Sequence, residues 1–295
     1  MKTIRGKKAM ITGAAGGIGR AIALALAAEG ADLHLLDIDD VNLASTVAEA
    51  RKLGVDAAGS HCDLARPQEI SAAIEAILER WGDVDILVNN AGVAYYGPTE
   101  RMTASQCDWL LGVNLLAPIQ FTRELLPTLL ERQEAHILNV CSVGGLLAIP
   151  KIAAYHATKF AMVGFSSSLR AEYVRRGLGV TALCPGIVRT NILNAAAKGQ
   201  PAKPIPVPPR WLTTSPEYVA ARAVKAICRN HALVVIPPLG KALWVLQRLF
   251  PALMAWLFRV RKRRGPWSPP LRWARLPRKS RKAGLQSVLS SPAKT

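Results

Sequence analysis

From its N-terminus the chain alternates short, continuously apolar runs with longer stretches of helical period. AMIT (9–12) precedes IGRAIALALAAEG (18–30), and LHLLD (33–37) precedes VNLASTVAEARKLG (41–54). GSHCD (59–63), DILVNN (85–90), HILNVCS (136–142) and GVTALCPG (179–186) continue the strand series, with helical patterns over 67–80, 104–130 and 153–176 between them. Strands this apolar are covered on both faces, and their alternation with helices is that of a parallel sheet. The pattern predicts an α/β fold in three layers, a doubly wound parallel sheet between helices. No internal repeat interrupts it.

Two segments leave the alternation. Residues 190–217 are rich in proline, alanine and lysine and contain AAAKGQPAKPIPVPPRW (195–211), too long for an ordinary connection and suited to a lid or binding loop. From about 237 the strand–helix order ends. ALWVLQRLFPALMAWLF (242–258) contains Gln247, Arg248 and Pro251. Proline is tolerated at a helix start but breaks or kinks a continuous helix, so two short amphipathic segments are expected rather than one span. From 265 the chain is rich in Pro, Arg and Ser, a composition that cannot bury enough apolar surface to order itself. The expected organisation is one α/β domain over 1–236 with a lid at about 190–217, a hydrophobic and cationic helical extension over 237–264, and a basic disordered tail over 265–295.

Composition refines this picture through charge. The formal net charge of the 295 residues is +18. After residue 239 there are 14 Lys/Arg and no Asp/Glu, the last acid being Glu217, so residues 1–239 carry 24 cations against 20 acids. The excess belongs to the tail, not to a folded basic face with interleaved aromatics, and no nucleic-acid partner is expected. Trp256 and the following RVRKRRG (259–265) suit an anionic headgroup layer, which makes peripheral membrane association through 242–264 one reading. The other is that this segment packs over a pocket or a second subunit, with its cations merely solubilising it.

Five cysteines (Cys62, Cys107, Cys141, Cys184, Cys228) are odd in number and widely spaced, with no Cys-x-x-Cys. Buried free thiols in a reducing compartment are expected, with neither disulfides nor a metal site. The N-terminal MKTIRGKKAMITG has too short an apolar run for a signal peptide, and nowhere are there ~18 uninterrupted apolar residues for a membrane span. A cytoplasmic protein is expected, peripheral on the cytoplasmic face of a membrane if the C-terminal segment binds lipid.

Candidate chemistry begins at TGAAGGIG, where Thr12, Gly13, Gly17, Ile18 and Gly19 stand between the first strand and the first helix. Glycines there let the backbone approach a pyrophosphate, and the helix N-terminus offers unpaired N–H groups and a positive dipole end. Gly-Gly pairs also serve as plain turns, but strand, turn and helix occur in the order a dinucleotide site needs. Asp37 ends the second strand, 18 residues after Gly19. A carboxylate there accepts hydrogen bonds from an adenosine ribose and repels a 2′-phosphate. Ile38 supplies no cation, so NAD is favoured over NADP. The alternative is a solvated turn acid beside Asp39 and Asp40.

The glycine-rich turn is followed in order by Asp63 in CDL, NNAG (89–92), Asn114 in VNL, Ser142 in VCS, YHATK (155–159) and PGIVRT (185–190). This ordered set resembles the short-chain dehydrogenase/reductase family over residues 5–236. The resemblance implies a seven-stranded Rossmann-like sheet and an NAD(P)-dependent oxidoreductase that moves a hydride between a nicotinamide cofactor and a hydroxyl or carbonyl substrate. A homo-oligomer, dimer or tetramer, is the expected assembly.

The residues support such chemistry. Tyr155 and Lys159 are four apart in a helical pattern and share a face. A free phenol, with a pKa of ~10, is a poor base at neutrality, and a nearby ammonium favours its phenolate. Tyr155 is then an acid/base for alcohol–carbonyl interconversion, and Lys159 also holds ribose hydroxyls. Ser142, 13 residues before Tyr155 at a strand end, can polarise the substrate oxygen. The competing reading is an ordinary buried Tyr with a snorkelling Lys. By the resemblance, Asn114 orders a water in a proton relay to Lys159, Asp63 contacts adenine and Leu64 does so through its backbone; Asp63 also reads as a plain turn acid. Asn90, Ala91 and Gly92 line the cofactor or brace the sheet, and Pro185, Gly186, Ile187 and Thr190 wrap the nicotinamide end. His156 neighbours Tyr155 and must point elsewhere, so it receives no role.

The presumed pocket walls are apolar: Leu146, Leu147, Ile149 and Pro150 after Ser142, Tyr95 and Tyr96 after NNAG, Ile192 and Leu193 in the lid. Lys151 and Arg189 remain unplaced. A hydrophobic secondary alcohol or ketone, of steroid, retinoid or lipid type, is the expected substrate. The alternatives are a small polar alcohol or sugar, and a dinucleotide-sensing protein without turnover, which loss of Tyr155 or Lys159 would have favoured; both are present.

Overall fold

The computed structural model describes residues 1–190, 197–198 and 213–252. In chain order the first elements are β1 (Lys8–Thr12), α1 (Gly17–Ala28), β2 (Asp32–Asp37), α2 (Asp40–Lys52), β3 (Ala57–His61), α3 (Pro67–Trp81) and β4 (Ile86–Asn89). Next come β5 (Tyr95–Tyr96), α4 (Ala104–Leu111), α5 (Ala117–Glu131), β6 (Ala135–Val140) and α6 (Ala153–Tyr173). The last are β7 (Leu178–Pro185), β8 (Ala197–Lys198), α7 (Pro216–Cys228), β9 (Leu233–Ile236) and α8 (Pro238–Leu249).

Seven strands form one parallel sheet in the order β3-β2-β1-β4-β6-β7-β9. Strand periodicity sends Ala9 and Ile11 of β1 into a cluster with Ile22, Leu26, Leu33 and Ile227, beneath α1, α2 and α7. Met10 points the other way, into a cluster with Ile74, Phe121, Leu125 and Val180 beneath α3, α5 and α6. Both faces are therefore buried, which is why the strands read as unbroken apolar runs. Helix starts follow local chemistry: Asp39 accepts from the N–H of Asn42 ahead of α2, and Ser215 from that of Tyr218 ahead of α7. The chain winds outward in opposite directions from the adjacent β1 and β4, and that reversal opens a crevice at their C-terminal ends.

The doubly wound sheet is thus the one expected, with four local differences. The third strand lies two residues earlier than read, so Cys62 and Asp63 follow it. The seventh strand, LVVI of β9, was not among the apolar runs read as strands; only the resemblance implied it. The helical pattern over 104–130 is two helices separated by a π-helical turn, Gly112–Leu116. The helix expected over 153–176 ends at Tyr173 and tightens into a 3₁₀ turn. All five cysteines are free; Cys62, Cys141 and Cys184 are buried as expected, but Cys107 is half-buried and Cys228 exposed.

Of the lid expected at 190–217, residues 191–196 and 199–212 lie outside the described residues. Its ends meet: Val188 pairs with Thr214, the Thr214 N–H donates to Ile187 O at 2.9 Å, and the Arg189 N–H donates to Thr214 O at 3.1 Å. Within it β8 pairs in parallel with β5. Helix α8 stops at Leu249, two residues before Pro251, as the proline rule requires. Residues 253–264 of the expected extension, and the 265–295 tail, lie outside the described residues. No described helix is long and apolar enough to cross a membrane.

Candidate active site

The glycine-rich turn leaves β1 at Thr12 and enters α1 at Gly17. Gly13 (φ +67°) and Gly17 (φ +55°) take left-handed backbone that disfavours side chains. Gly19 is required for a different reason: a Cβ there would lie 2.0 Å from Gly13 O and 2.4 Å from Asn90 Nδ2. The start of α1 suits a pyrophosphate. Gly16 offers no side-chain cap, the first turn holds no acid, and a Cβ on Gly16 would meet nothing within 4 Å. A dinucleotide of the kind the sequence implies therefore fits the residues present.

Asp37 braces this turn. Its Oδ2 accepts from the Ala15 N–H at 2.8 Å, and its Oδ1 from the N–H groups of Ile38 and Asp39 at 2.8 and 3.1 Å. Thr12 ties β1 to the loop after β4, its Oγ1 accepting from the N–H groups of Asn90 (3.0 Å) and Ala91 (3.1 Å). Asn90 Nδ2 donates back to Thr12 O at 2.9 Å and Gly13 O at 3.0 Å. Of the two roles weighed for Asn90 and Ala91, bracing is thus the one their hydrogen bonds display. Asp63 is engaged locally, its Oδ1 accepting from the Ala65 N–H at 2.9 Å and its Oδ2 lying 3.5 Å from Arg66 Nε. Leu64 is buried beside it. Burial, then the carboxylates of Glu69 and Asp63, push the adjoining Cys62 thiol up to about 12.

Ser142 follows β6 in extended backbone and caps a short 3₁₀ turn, its Oγ accepting from the Gly144 N–H at 2.9 Å. That bond leaves the hydroxyl hydrogen free to point elsewhere. Tyr155 and Lys159 lie in the first turns of α6, with Lys159 Nζ 5.8 Å from the Tyr155 ring centroid. Lys159 is buried, and its ammonium donates to Val140 O at 3.0 Å.

Asn114 sits in the π-helical turn, a distortion that recurs at functional sites. Its Oδ1 accepts from the Val93 N–H at 2.8 Å, and its Nδ2 donates to Val93 O at 2.8 Å and Thr158 Oγ1 at 3.3 Å. Both amide hydrogens are spent. Its main-chain carbonyl lacks the ordinary α-helical donor, because Pro118, four residues on, has no N–H. Gly92 marks the meeting point of these groups: a Cβ there would stand 3.4 Å from Asn114 Oδ1 and 3.5 Å from Lys159 Nζ.

Beyond β7, the Gly186 N–H donates to Ile236 O at 2.6 Å, next to Pro185 at the strand end. Ile187 is exposed, and Thr190 lies against the glycine-rich turn, where a Cβ on Gly17 would be 3.0 Å from Thr190 Cγ2. A cavity of about 530 Å³ opens there between α1 and α7, lined by Gly17 and Thr190 but by none of Ser142, Tyr155 or Lys159.

His156, left without a role by the sequence, joins the two halves of the site. Its Nδ1 lies 2.6 Å from Gly144 O, and its Nε2 accepts from the Ile149 N–H at 2.9 Å. The ring is therefore the Nδ1–H tautomer, donating on one side and accepting on the other. One imidazole on the helix of Tyr155 thus pins both legs of the loop that starts at Ser142. Gly145 packs the same loop onto α6 so closely that a Cβ would fall 2.5 Å from Lys159 O. A second unforeseen network runs beneath: Asn89 Nδ2 donates to Asn139 Oδ1 at 2.8 Å and Asn139 Nδ2 to Ser166 Oγ at 2.9 Å. Its only outward sign was a pair of polar residues inside otherwise apolar strands.

Comparison with known proteins agrees with this geometry. A family model described as short chain dehydrogenase matches residues 7–201. SadH of Mycobacterium tuberculosis, named as an oxidoreductase, is 34% identical over 255 residues, covering 84% of this chain and 92% of its own. Estradiol 17-beta-dehydrogenase 11 of Rattus norvegicus is 32% identical over 254 residues, covering 85% and 82%. A short chain dehydrogenase/reductase from Burkholderia phymatum, solved in complex with NAD, superposes with a TM-score of 0.77 at 30% identity, over 92% of this chain and all of that one. A metagenomic short-chain oxidoreductase solved with NADP gives 0.67 at 28% identity, over 79% and 96%. This chain is thereby placed in the short-chain dehydrogenase/reductase family, as an oxidoreductase of CH–OH groups that uses a nicotinamide cofactor.

Proposed function

We propose that the enzyme interconverts a hydrophobic secondary alcohol and its ketone, with Tyr155 as the acid/base. The bound nicotinamide dinucleotide supplies the hydride acceptor or donor. Tyr155 exchanges a proton with the substrate oxygen. Ser142, its Oγ already accepting from Gly144, donates its hydrogen to that same oxygen and polarises it. Lys159 holds a buried positive charge 5.8 Å from the Tyr155 ring centroid, favouring the step that leaves negative charge on the phenol oxygen. Asn114 serves the relay through its main-chain carbonyl, since its side-chain donors are committed to Val93 and Thr158. The chief support is the loop clamped by His156, which ties Ser142 to the helix of Tyr155 and Lys159.

On the nucleotide side, Gly13, Gly17, Ile18 and Gly19 carry the pyrophosphate, and the lone pairs left on Asp37 take the ribose hydroxyls. With Ile38 exposed and uncharged beside it, NAD is preferred over NADP. Asp63 and Leu64 flank adenine, Thr12 with Asn90, Ala91 and Gly92 forms the floor, and Pro185, Gly186, Ile187 and Thr190 close the nicotinamide end.

On this reading Tyr95, buried, and Ile149, exposed beside the clamped loop, are apolar walls of the substrate pocket. A relative named for estradiol supports a lipophilic substrate. Subunits pair into a homo-oligomer. Reduction of a steroid ketone, 2-nonanone and dihydroxyacetone with NADH or NADPH tests the reading. We expect kcat/KM ~100-fold higher for the first two ketones and ~10-fold higher with NADH. A preference for dihydroxyacetone would make this a polar-alcohol enzyme, and a preference for NADPH would remove Asp37 as the selector.

A further inference from the structure

We infer that the outward face of α8 is a docking surface for an anionic lipid bilayer, and that docking brings the Ser142 loop to the membrane. The inference builds on the reading of a lipophilic substrate, and its test separates the two. Helix α8 is inverted relative to an ordinary surface helix. Its inner face is narrow: Gly240 rests on Val143, where a Cβ would stand 3.0 Å from Val143 Cγ2, and Trp244 packs against the buried cluster that holds Cys141, Leu146 and Met162. Outward it shows Leu239, Leu243, Val245, Leu246 and Leu249, each between 36% and 66% exposed, with exposed Phe250 just past its end. At 100° per residue these positions make one continuous arc. Apolar patches of this kind are rare on soluble monomers without a partner.

Charge decides which partner. Lys241 and Arg248, seven residues apart, lie along one edge of the arc and make no hydrogen bond or ion pair among the described residues. The chain beyond residue 239 holds 14 Lys/Arg and no acid. A second copy would bring like charge against like, whereas an anionic headgroup layer attracts every one of these cations. The patch also continues sideways. Between α6 and α8 runs a groove of about 620 Å³ walled by Phe160, Val163 and Trp244, with Arg248 at its rim. Phe160 is 43% exposed there, so the apolar surface spans both helices. An acyl chain lying in the groove would place its headgroup near Arg248. Because Gly240 sits on Val143, the residue next to Ser142, docking of α8 brings the Ser142 loop to the bilayer surface.

Flotation of the full chain with vesicles tests this. With phosphatidylcholine containing one-third phosphatidylglycerol the wild type should float, and with phosphatidylcholine alone it should float little. The triple variant Leu243→Glu, Leu246→Glu, Leu249→Glu should bind ~100-fold less. The pair Lys241→Gln, Arg248→Gln should bind about fivefold less, and it serves if the triple variant does not fold. Solution reduction of 2-nonanone should be unchanged in both. Wild-type binding by the triple variant would overturn the proposal, leaving the basic tail as sufficient. Failure of the wild type to float would do the same, as would a triple variant that floats normally but scatters light as a monomer where the wild type is a dimer. Flotation together with a preference for dihydroxyacetone would sink the substrate reading alone.

Discussion

The two halves of the site are built on opposite plans. Around Ser142, Asn114 and Lys159 the polar groups are already paired within the protein: Oγ to Gly144, both amide hydrogens of Asn114, the ammonium to Val140, and both nitrogens of His156. Around the glycine-rich turn the backbone is fixed by sterics at Gly13 and Gly19 and by Asp37 and Thr12, while the first N–H groups of α1 have no side-chain cap. On the proposed mechanism the Ser142 half is organised in advance, so little reorganisation remains for the reaction itself. The nucleotide half keeps its donors for a ligand. Variants on one side should therefore spare the property that belongs to the other.

The largest effect tests the catalytic half. Tyr155→Phe should lower kcat for 2-nonanone reduction ~10³-fold while NADH affinity, read by fluorescence titration, stays within about twofold. Wild-type turnover would place the proton chemistry elsewhere. Gly19→Ala tests the other half: with its Cβ 2.0 Å from Gly13 O, the turn must open. NADH should bind ~100-fold more weakly, with about 1–3 kcal/mol lost from thermal stability. Retained affinity would show that the turn's shape is dispensable for the cofactor.

His156 sharpens the contrast. His156→Leu removes both loop bonds and should reduce kcat ~10–30-fold with NADH affinity intact. Gln keeps a donor and an acceptor side by side, so His156→Gln should recover to within about threefold. Exchange of the Ile149 amide hydrogen, followed by NMR, should speed up in the Leu variant and not in the Gln variant. Equal kinetics for all three would reduce His156 to packing.

A further test lies away from both halves. Burial holds His136 at about 3 and His34 at about 4, against 6.5 for a free ring. Thr181 Oγ1 donates to His231 O, so it must accept from His136 Nε2–H, and burial keeps that ring neutral in the fold. Below pH 6.5 the unfolded chain takes up protons that the folded one refuses. Their contribution is thus complete above about 6.5 and falls with pH toward 4 and 3, by about 1 kcal/mol per pH unit for each ring. Thermal melts from pH 7.5 to 4.5 should show this, and His34→Asn should flatten the slope.

The sheet was legible because burial on both faces leaves a mark that no partner information is needed to read. The strand β9 was not, being four residues long and set beyond the proline-rich stretch. The π-helical turn hid for another reason: five residues of altered winding barely disturb a 3.6-residue period running over 104–130. Tyr155, Lys159 and Ser142 could be singled out by side-chain type, spacing and place at a strand end, and Asn114 only through the family resemblance. His156 could not, since both its partners are backbone groups, and any residue offers those. Asp37 shows the reverse: its place at the strand end was read correctly, while its hold on the Ala15 N–H depends on a turn shape invisible in sequence.

The pairing of Val188 with Thr214 has a consequence for how such an enzyme changes over generations. The two ends of the intervening stretch are fastened to each other at the rim of the sheet, so its length is not a dimension of the scaffold. Doubling a loop whose ends are already held adds only about 0.6 kcal/mol of closure cost. Another stretch of different size or polarity can therefore be grafted between Val188 and Thr214 with the seven strands left as they are.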